Sequence, residues 1–276
     1  MPWLRFHAYG VGLPKTGTTS LATMMTNYRT GHETWLDFLA APAVARVRGE
    51  IDDDTFWQTV HKRFVPLRAE MDCVTCHHLY VDVLRETYPK AQFIVTYRDV
   101  RSWANSLLGM VVLRRRTPVD LRGDRSWYRS YGEWISEGMF SLDPADEGDD
   151  SAVLPALMRS WASYMRSMPA VLPPERTMWI KTSEITARIP ELADFLRIPA
   201  DTIVRENAHS NGTPTSFDRF TIAERDVIDS VYAEHCADIM AEHFPEEHAR
   251  FLDRPHGVSD ATWSDYIARV DAKLAG

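Results

Sequence analysis

The sequence predicts an α/β fold, a single domain over residues 1–276 in which a parallel sheet is flanked by helices on both faces. Three observations carry this. Phe93-Ile-Val-Thr-Tyr97 is a β-rich apolar run with a charged exit, the pattern of a buried parallel strand. A strand pattern at Leu4–Tyr9 runs through a glycine-containing turn, GVGLPKTGTTS, directly into a helical pattern. Strand and helix patterns then alternate along the chain, which implies crossover connections.

Taken in order, Leu21, Met24 and Met25 recur at helical spacing and predict a helix from Thr18 to about Tyr28. Residues 35–65 read as helical with little punctuation, and Leu67–Asp72 as a second strand. Val74, Val81, Leu84 and Tyr88 predict a helix closed by Pro89. After the 93–97 strand, a helix is expected over 100–116. The least regular stretch, 117–150, carries Trp127, Tyr128, Tyr131, Trp134 and Phe140 and then an acidic run, and is expected as an insertion. A helix over 153–168 is expected to stop at Pro169. Thr177–Lys181 reads as a strand and Pro190–Leu196 as a short helix. Thr221-Ile-Ala-Glu224 fits a capping box opening a helix to about Phe244, and a last helix is expected from Ser259 to Leu274.

Composition narrows the function. Hydrophobic residues make up 45% and charged residues 25%, which is ordinary globular usage. The formal net charge is −8, so a bulk electrostatic grip on nucleic acid or an anionic membrane is not expected. An anionic ligand must instead be held by a local cluster. No uninterrupted apolar run approaches the ~20 residues of a membrane-spanning helix, and the N-terminus lacks an apolar signal core. A cytoplasmic location is therefore expected. Cys73, Cys76 and Cys236 are too few and too irregular for a disulfide framework.

The strongest chemical signal is Gly12-Leu-Pro-Lys15-Thr16-Gly17-Thr18-Thr19. A glycine turn between strand and helix gathers backbone N–H groups at a positive dipole end, which favours a phosphate or sulfate. Gly12 and Gly17 keep the spacing of the nucleotide-hydrolysing P-loop, and Thr19 matches its final hydroxyl. Thr18, however, stands where that motif has lysine, and the lysine lies inside the loop as Lys15. The threonines would then be neutral donors with no evident demand for Mg²⁺.

PKTGTTSL resembles the 5′-phosphosulfate loop of the P-loop sulfotransferases, which use 3′-phosphoadenosine-5′-phosphosulfate (PAPS). The resemblance implies that Lys15 binds the bridging and sulfuryl oxygens, with Thr16, Gly17, Thr18 and Thr19 around the 5′-phosphate. A second signature of the family is a strand ending in arginine with a serine eight residues on. Arg98 and Ser106 match it and by resemblance bind the 3′-phosphate; a guanidinium fork suits phosphate oxygens. Of their neighbours, Arg101 reads as a solvated helix residue and Trp103 as packing. PERTMWIKTSEI resembles the later strand whose tyrosine often approaches the adenine; Lys181 or Thr182 occupies that place. His209 and Asn211 match a P-H-x-N element, with Ala208 in the proline position, and are candidate nucleotide contacts.

Sulfuryl transfer to a hydroxyl needs a base for the acceptor proton. By resemblance the base is a histidine or an acid after the second strand, and Asp72, His77 and His78 are the candidates there. His32, His61 and His235 read as ordinary core or surface histidines. Cys73-Val-Thr-Cys76-His77 spells a haem-attachment pattern, but without an export signal the cysteines read as small core thiols, and no second C-x-x-C supports zinc. The expected activity is PAPS-dependent sulfuryl transfer to a small-molecule acceptor with no metal required. The alternatives are an ATP-dependent small-molecule kinase, disfavoured by the place of Lys15, and a protein that binds PAPS without turnover.

Overall fold

The computed structural model describes residues 4–116, 150–209, 218–221 and 224–253, with residues 268 and 272. The chain forms two compact units, Met1–Arg98 with Ser167–Gly212, and Asp99–Arg166 with Thr213–Gly276. The expected α/β class is observed: the first unit holds a five-stranded, all-parallel sheet flanked by helices. The strands are β1 (Ala8–Gly10), β2 (Thr30–His32), β3 (Met71–Cys73), β4 (Gln92–Tyr97) and β5 (Thr177–Lys181), in the order β2-β3-β1-β4-β5.

Register divides the strand residues into two faces. Ala8 aligns with Met71 and Gln92, and Gly10 with Cys73 and Ile94. Ala8, Met71, Cys73, Ile94, Met178 and Ile180 pack against Leu21 and Met24 of α1 (Thr18–Met24). The rest of that layer comes from Leu192 and Leu196 of the helix Ile189–Leu196, and from Ile203 and Ala208. Burying such a side chain contributes about 1.5–3 kcal/mol. Tyr9 and Phe93 lie on the opposite face, stacked at 6.0 Å. There Tyr88 meets both Tyr9 and Phe64, so α3 (Asp53–Leu67) covers that side.

Several expected boundaries move. The first strand is Ala8–Gly10, not Leu4–Tyr9, and α1 ends at Met24. The stretch 35–65 is two helices, α2 (Leu36–Val47) and α3, separated by Gly49 and started afresh at Asp52, whose carboxylate accepts from the Thr55 amide at 2.8 Å. Leu67 closes α3, so the strand expected at Leu67–Asp72 is instead Met71–Cys73. The 74–88 helix divides into a 3₁₀ turn, Thr75–Leu79, and α4 (Val81–Thr87). The short strand β2 had no counterpart in the sequence reading.

In the second unit α5 (Val100–Arg116) starts at Asp99, whose side chain accepts from the Ser102 amide at 2.9 Å. Trp103 is fully buried, as its packing role requires. Arg101 is not solvated: it is buried, paired with Asp218 at 2.7 Å and set over the rings of Phe220 and Phe251. Asn105 joins the cluster through Asp218 and the Arg219 amide. α6 (Asp150–Val171) passes Pro169 by two residues. The capping box at Thr221 does not form; Thr221 ends a 3₁₀ turn, and the next helix, Arg225–Val231, begins after Glu224. Apart from Asp150, the 117–150 insertion lies outside the described residues, as does the last expected helix apart from two helical positions, 268 and 272. No helix of the described residues is long and apolar enough to cross a membrane.

The amino edge of the sheet is set by one carboxylate. Glu70 accepts from the Arg5 amide (2.8 Å), the Arg5 guanidinium (2.6 and 2.9 Å) and the Arg29 amide (3.1 Å), so it joins the entries of β1, β2 and β3. Burial pushes its pKa up, but the Arg5 side chain and the two amides outweigh burial and hold it at about 2. The folded value lies below the unfolded one, so this stability is present above about pH 4.5 and is lost as pH falls toward 2. Glu70→Gln is expected to cost about 1–3 kcal/mol at pH 7, given that Arg5 is half-exposed. In urea titrations the deficit should shrink steadily below pH 4.5.

Candidate active site

Because the strands are parallel, their carboxyl ends share one edge, and five connections leave from it. The first is the Gly12–Thr19 turn. Val11 continues β1 by donating to Ile94 O at 2.9 Å. Gly12 then passes so close to the sheet that a Cβ would overlap the hydroxyls of both Thr96 and Thr16. Lys15 has φ 67° and Gly17 φ 104°, two left-handed residues in three. For glycine this is easy, whereas for lysine it costs about 1–2 kcal/mol, and such strain points to a functional position.

The loop is clamped from inside. The Thr16 hydroxyl donates to Leu13 O (2.7 Å) and meets Thr96 Oγ1 (3.0 Å), so it is an internal brace. The Thr182 hydroxyl lies 2.5 Å from Thr16 O and 3.0 Å from Tyr97 O, tying the loop to the ends of β4 and β5. Thr18 is buried, while Lys15, Gly17 and Thr19 stay half-exposed. Thr19 Oγ1 meets His32 Nε2 at 3.1 Å.

The second connection follows β2 and carries a residue the sequence reading passed over. Glu33 takes a left-handed conformation (φ 52°) directly after the strand. Its carboxylate accepts from the Thr75 amide at 3.2 Å and stands 4.0 Å from His32 Nε2. Burial pushes the Glu33 pKa up to about 7; the Thr75 contacts and Arg63 oppose that rise and Asp72 adds to it. A carboxyl poised near neutrality at the ligand-binding edge of an α/β sheet is a candidate general base. The signal that would have found it is the strand Thr-Gly-His before it, too short and too polar to read as one. His32, read as an ordinary histidine, sits between this carboxyl and Thr19.

The third connection holds the three sequence candidates for the base. Asp72 is buried and grips the Arg63 guanidinium with both oxygens, one pair at 2.9 Å. Burial alone would raise its pKa, but Arg63, assisted by His77, holds it well below the usual carboxylate range. His77 is buried with Nδ1 3.0 Å from Gly10 O and Nε2 3.4 Å from Asp72. His78 is half-buried and places Nδ1 2.7 Å from Thr75 O; desolvation lowers its pKa to about 4. Thr75 thus offers its N–H to Glu33 and its C=O to His78. Cys73 and Cys76 are buried free thiols, as expected of core cysteines.

Arg98 is half-buried immediately beyond β4 in the first unit, and Ser106 is half-buried on α5 in the second. His209 ends the 3₁₀ turn Arg205–His209, and Asn211 lies outside the described residues. The middle of that turn is fixed to α1, where Asn207 Nδ2 donates to Thr23 O at 2.9 Å. Among the described residues no group of three His, Cys, Asp or Glu side chains is placed to hold a metal ion.

A strand–glycine turn–helix connection at the carboxyl edge of a five-stranded parallel sheet makes this an α/β protein with a P-loop-like turn. Residues 9–252 match the sulfotransferase domain family, and the chain belongs to that family. Among solved structures it is similar to a sulfotransferase from Alicyclobacillus acidocaldarius, with 15% identity, a TM-score of 0.48 and coverage of 91% of this chain and 96% of that one. It is also similar to sulfotransferase STF9 from Mycobacterium avium, at 12% identity and TM-score 0.43, covering 89% of this chain and 77% of that one. Mouse sulfotransferase SULT7A1, solved in complex with PAP, aligns at 14% identity and TM-score 0.38 over 90% of this chain and 82% of its own. No curated protein sequence matches the chain.

The raised pKa of Glu33 has a consequence for stability. The folded value, about 7, lies above the unfolded value near 4.5, so this group's contribution falls as pH rises between the two. Glu33→Gln is therefore expected to stabilise the protein at pH 8 by on the order of 1–3 kcal/mol and to change little at pH 4. Thermal unfolding of both proteins across that range checks it.

Proposed function

We propose that this protein transfers a sulfuryl group from PAPS to the hydroxyl of a small-molecule acceptor, releasing 3′,5′-bisphosphoadenosine. The observation that carries the reading is the left-handed Lys15 inside the braced Gly12–Thr19 loop, in a chain of the sulfotransferase domain family. PAPS supplies the activated sulfuryl group and a phosphate leaving group. The chain supplies donors suited to it: the Lys15 ammonium for charge developing at the bridging oxygen, and the hydroxyls of Thr18 and Thr19 with the Gly17 turn for the 5′-phosphate. Thr16 contributes by bracing the loop. Arg98 and Ser106 are assigned to the 3′-phosphate, and His209 and Asn211 to the nucleotide.

The acceptor proton is assigned to Glu33 in preference to Asp72, His77 or His78. Asp72 is committed to Arg63, both ring nitrogens of buried His77 are engaged, Nδ1 by Gly10 O and the Val74 N–H and Nε2 by Asp72, and His78 is a weak base at a pKa near 4. Glu33 is near neutrality, and Trp35 and Phe38, two and five residues further along the chain, are 51% and 45% exposed. Those rings suit an acceptor with a flat apolar body, so 2-naphthol is the first acceptor to try.

The nucleotide reading is tested by thermal shift. 3′,5′-Bisphosphoadenosine should raise the melting temperature more than ATP–Mg²⁺ at equal concentration, since a ligand selective for the native state stabilises it; the opposite order would favour a kinase.

Turnover separates catalysis from binding. At saturating PAPS, Lys15→Ala should lower kcat at least ~10²-fold, the scale of losing one transition-state donor. An unchanged kcat with a raised KM would leave Lys15 a binding residue, and donor binding without any wild-type turnover across a panel of phenols and alcohols would favour a non-catalytic protein. The rate should also fall below about pH 7 as Glu33 protonates, and Glu33→Gln should abolish that limb where His78→Gln does not.

A further inference from the structure

Arg63 lies on α3, 4% exposed, and its guanidinium has two partners on two other elements. Its Nη atoms grip the Asp72 carboxylate on β3. Its Nε donates at 2.8 Å to the carbonyl of Thr34, the residue after Glu33.

The turn that Arg63 reaches is strained. Glu33 and Trp35 both have positive φ, 52° and 54°, and neither is glycine. Such conformations are unfavourable for residues with a side chain and persist only where surroundings enforce them. Glu33 N–H donates to Cys73 O (3.0 Å) and Leu36 N–H to Glu33 O (3.1 Å), which fixes the two ends of the turn. The Thr34 carbonyl between them is held by Arg63.

A buried ion pair is a poor way to stabilise a fold, because desolvation offsets most of the attraction. Arginine is nonetheless suited to this place: its planar fork can serve a carboxylate with two nitrogens and a carbonyl with the third. Lysine could match the charge opposite Asp72 but not both contacts.

We propose that Arg63 is a positioning residue: by holding the Thr34 carbonyl and the Asp72 carboxylate together it fixes the Glu33–Trp35 turn, and with it the place of the Glu33 carboxyl at the sheet edge. The catalytic consequence rests on the reading of Glu33 as the base; the fixing of the turn does not. The charged and titratable groups facing Glu33 are Asp72 and Arg63, the Cys73 and Cys76 thiols, and His32 beside it.

The test uses the whole chain and Arg63→Lys, which keeps the charge opposite Asp72 and removes the contact to Thr34. Hydrogen exchange reads the turn directly. The Leu36 amide should exchange at least ~10-fold faster in Arg63→Lys, while the amides of α1 stay within twofold; unchanged exchange at Leu36 overturns the proposal. Turnover of PAPS with 2-naphthol, or with the best acceptor of the panel, then reads the consequence. Arg63→Lys should lower kcat ~10-fold or more, as small misplacements of a reacting group do, with the KM for PAPS unchanged. In the Glu33→Gln background the same change should cost less than twofold, because there is no base left to misplace. Equal losses in both backgrounds, or a raised KM alone, would make Arg63 merely structural and overturn the catalytic part. If Glu33→Gln itself keeps full activity, the base assignment fails while the exchange result still decides the turn. Should Arg63→Lys fail to fold, Arg63→Gln/Asp72→Asn, which replaces the ion pair by an amide pair, goes through the same comparison with the same expected outcomes.

Discussion

A three-residue strand paired in parallel on both sides is the constraint on which the first unit depends. Ala8, Tyr9 and Gly10 align with Met71–Cys73 on one side and with Gln92–Ile94 on the other. Buried backbone groups must be paired, and this strand leaves no freedom in how. With β1 fixed, the chain leaves the centre of the sheet through Gly12, where only a hydrogen fits beside Thr16 and Thr96. The strain at Lys15 follows, because the chain must reverse within five residues to start α1 at Thr18. The Thr182 hydroxyl closes the arrangement from β5. The loop is thus held from two other strand ends, Thr182 meeting the Thr16 carbonyl and Thr96 the Thr16 hydroxyl.

Three buried or nearly buried carboxylates in this unit behave differently, and the difference is local. Glu70 and Asp72 are each met by a guanidinium and stay charged despite burial. Glu33 accepts from the Thr75 amide and lies near Arg63 without being gripped by it, so desolvation wins and its pKa rises to about 7. The first two join strands and helices; the third is suited to proton transfer. Asp72 belongs to the candidate site in sequence, yet in the fold it serves Arg63 and His77.

Much of this was legible in the sequence, and the reasons for the rest are physical. β4 and β5 read clearly because both are β-rich runs with sharp ends, and the glycine turn read clearly because its residues are adjacent. β2 did not, since Thr30-Gly31-His32 is a polar edge strand with no apolar alternation. Missing it hid Glu33, whose meaning depends on following a strand. Arg101 read as solvated because its partner Asp218 lies 117 residues away, and no local pattern announces such a pair. Arg63 was silent for the same reason: its partners Thr34 and Asp72 lie on either side of it in sequence and meet it only in the fold.

The central claim is that the Lys15 loop is the seat of the donor's 5′-phosphate. A crystal structure of the protein with saturating 3′,5′-bisphosphoadenosine tests it most directly. The account predicts the 5′-phosphate in the Gly12–Thr19 turn, with Lys15 Nζ and a threonine hydroxyl within about 3.2 Å of its oxygens, and the 3′-phosphate against Arg98. Nucleotide bound elsewhere, or its 5′-phosphate outside that turn, would contradict it.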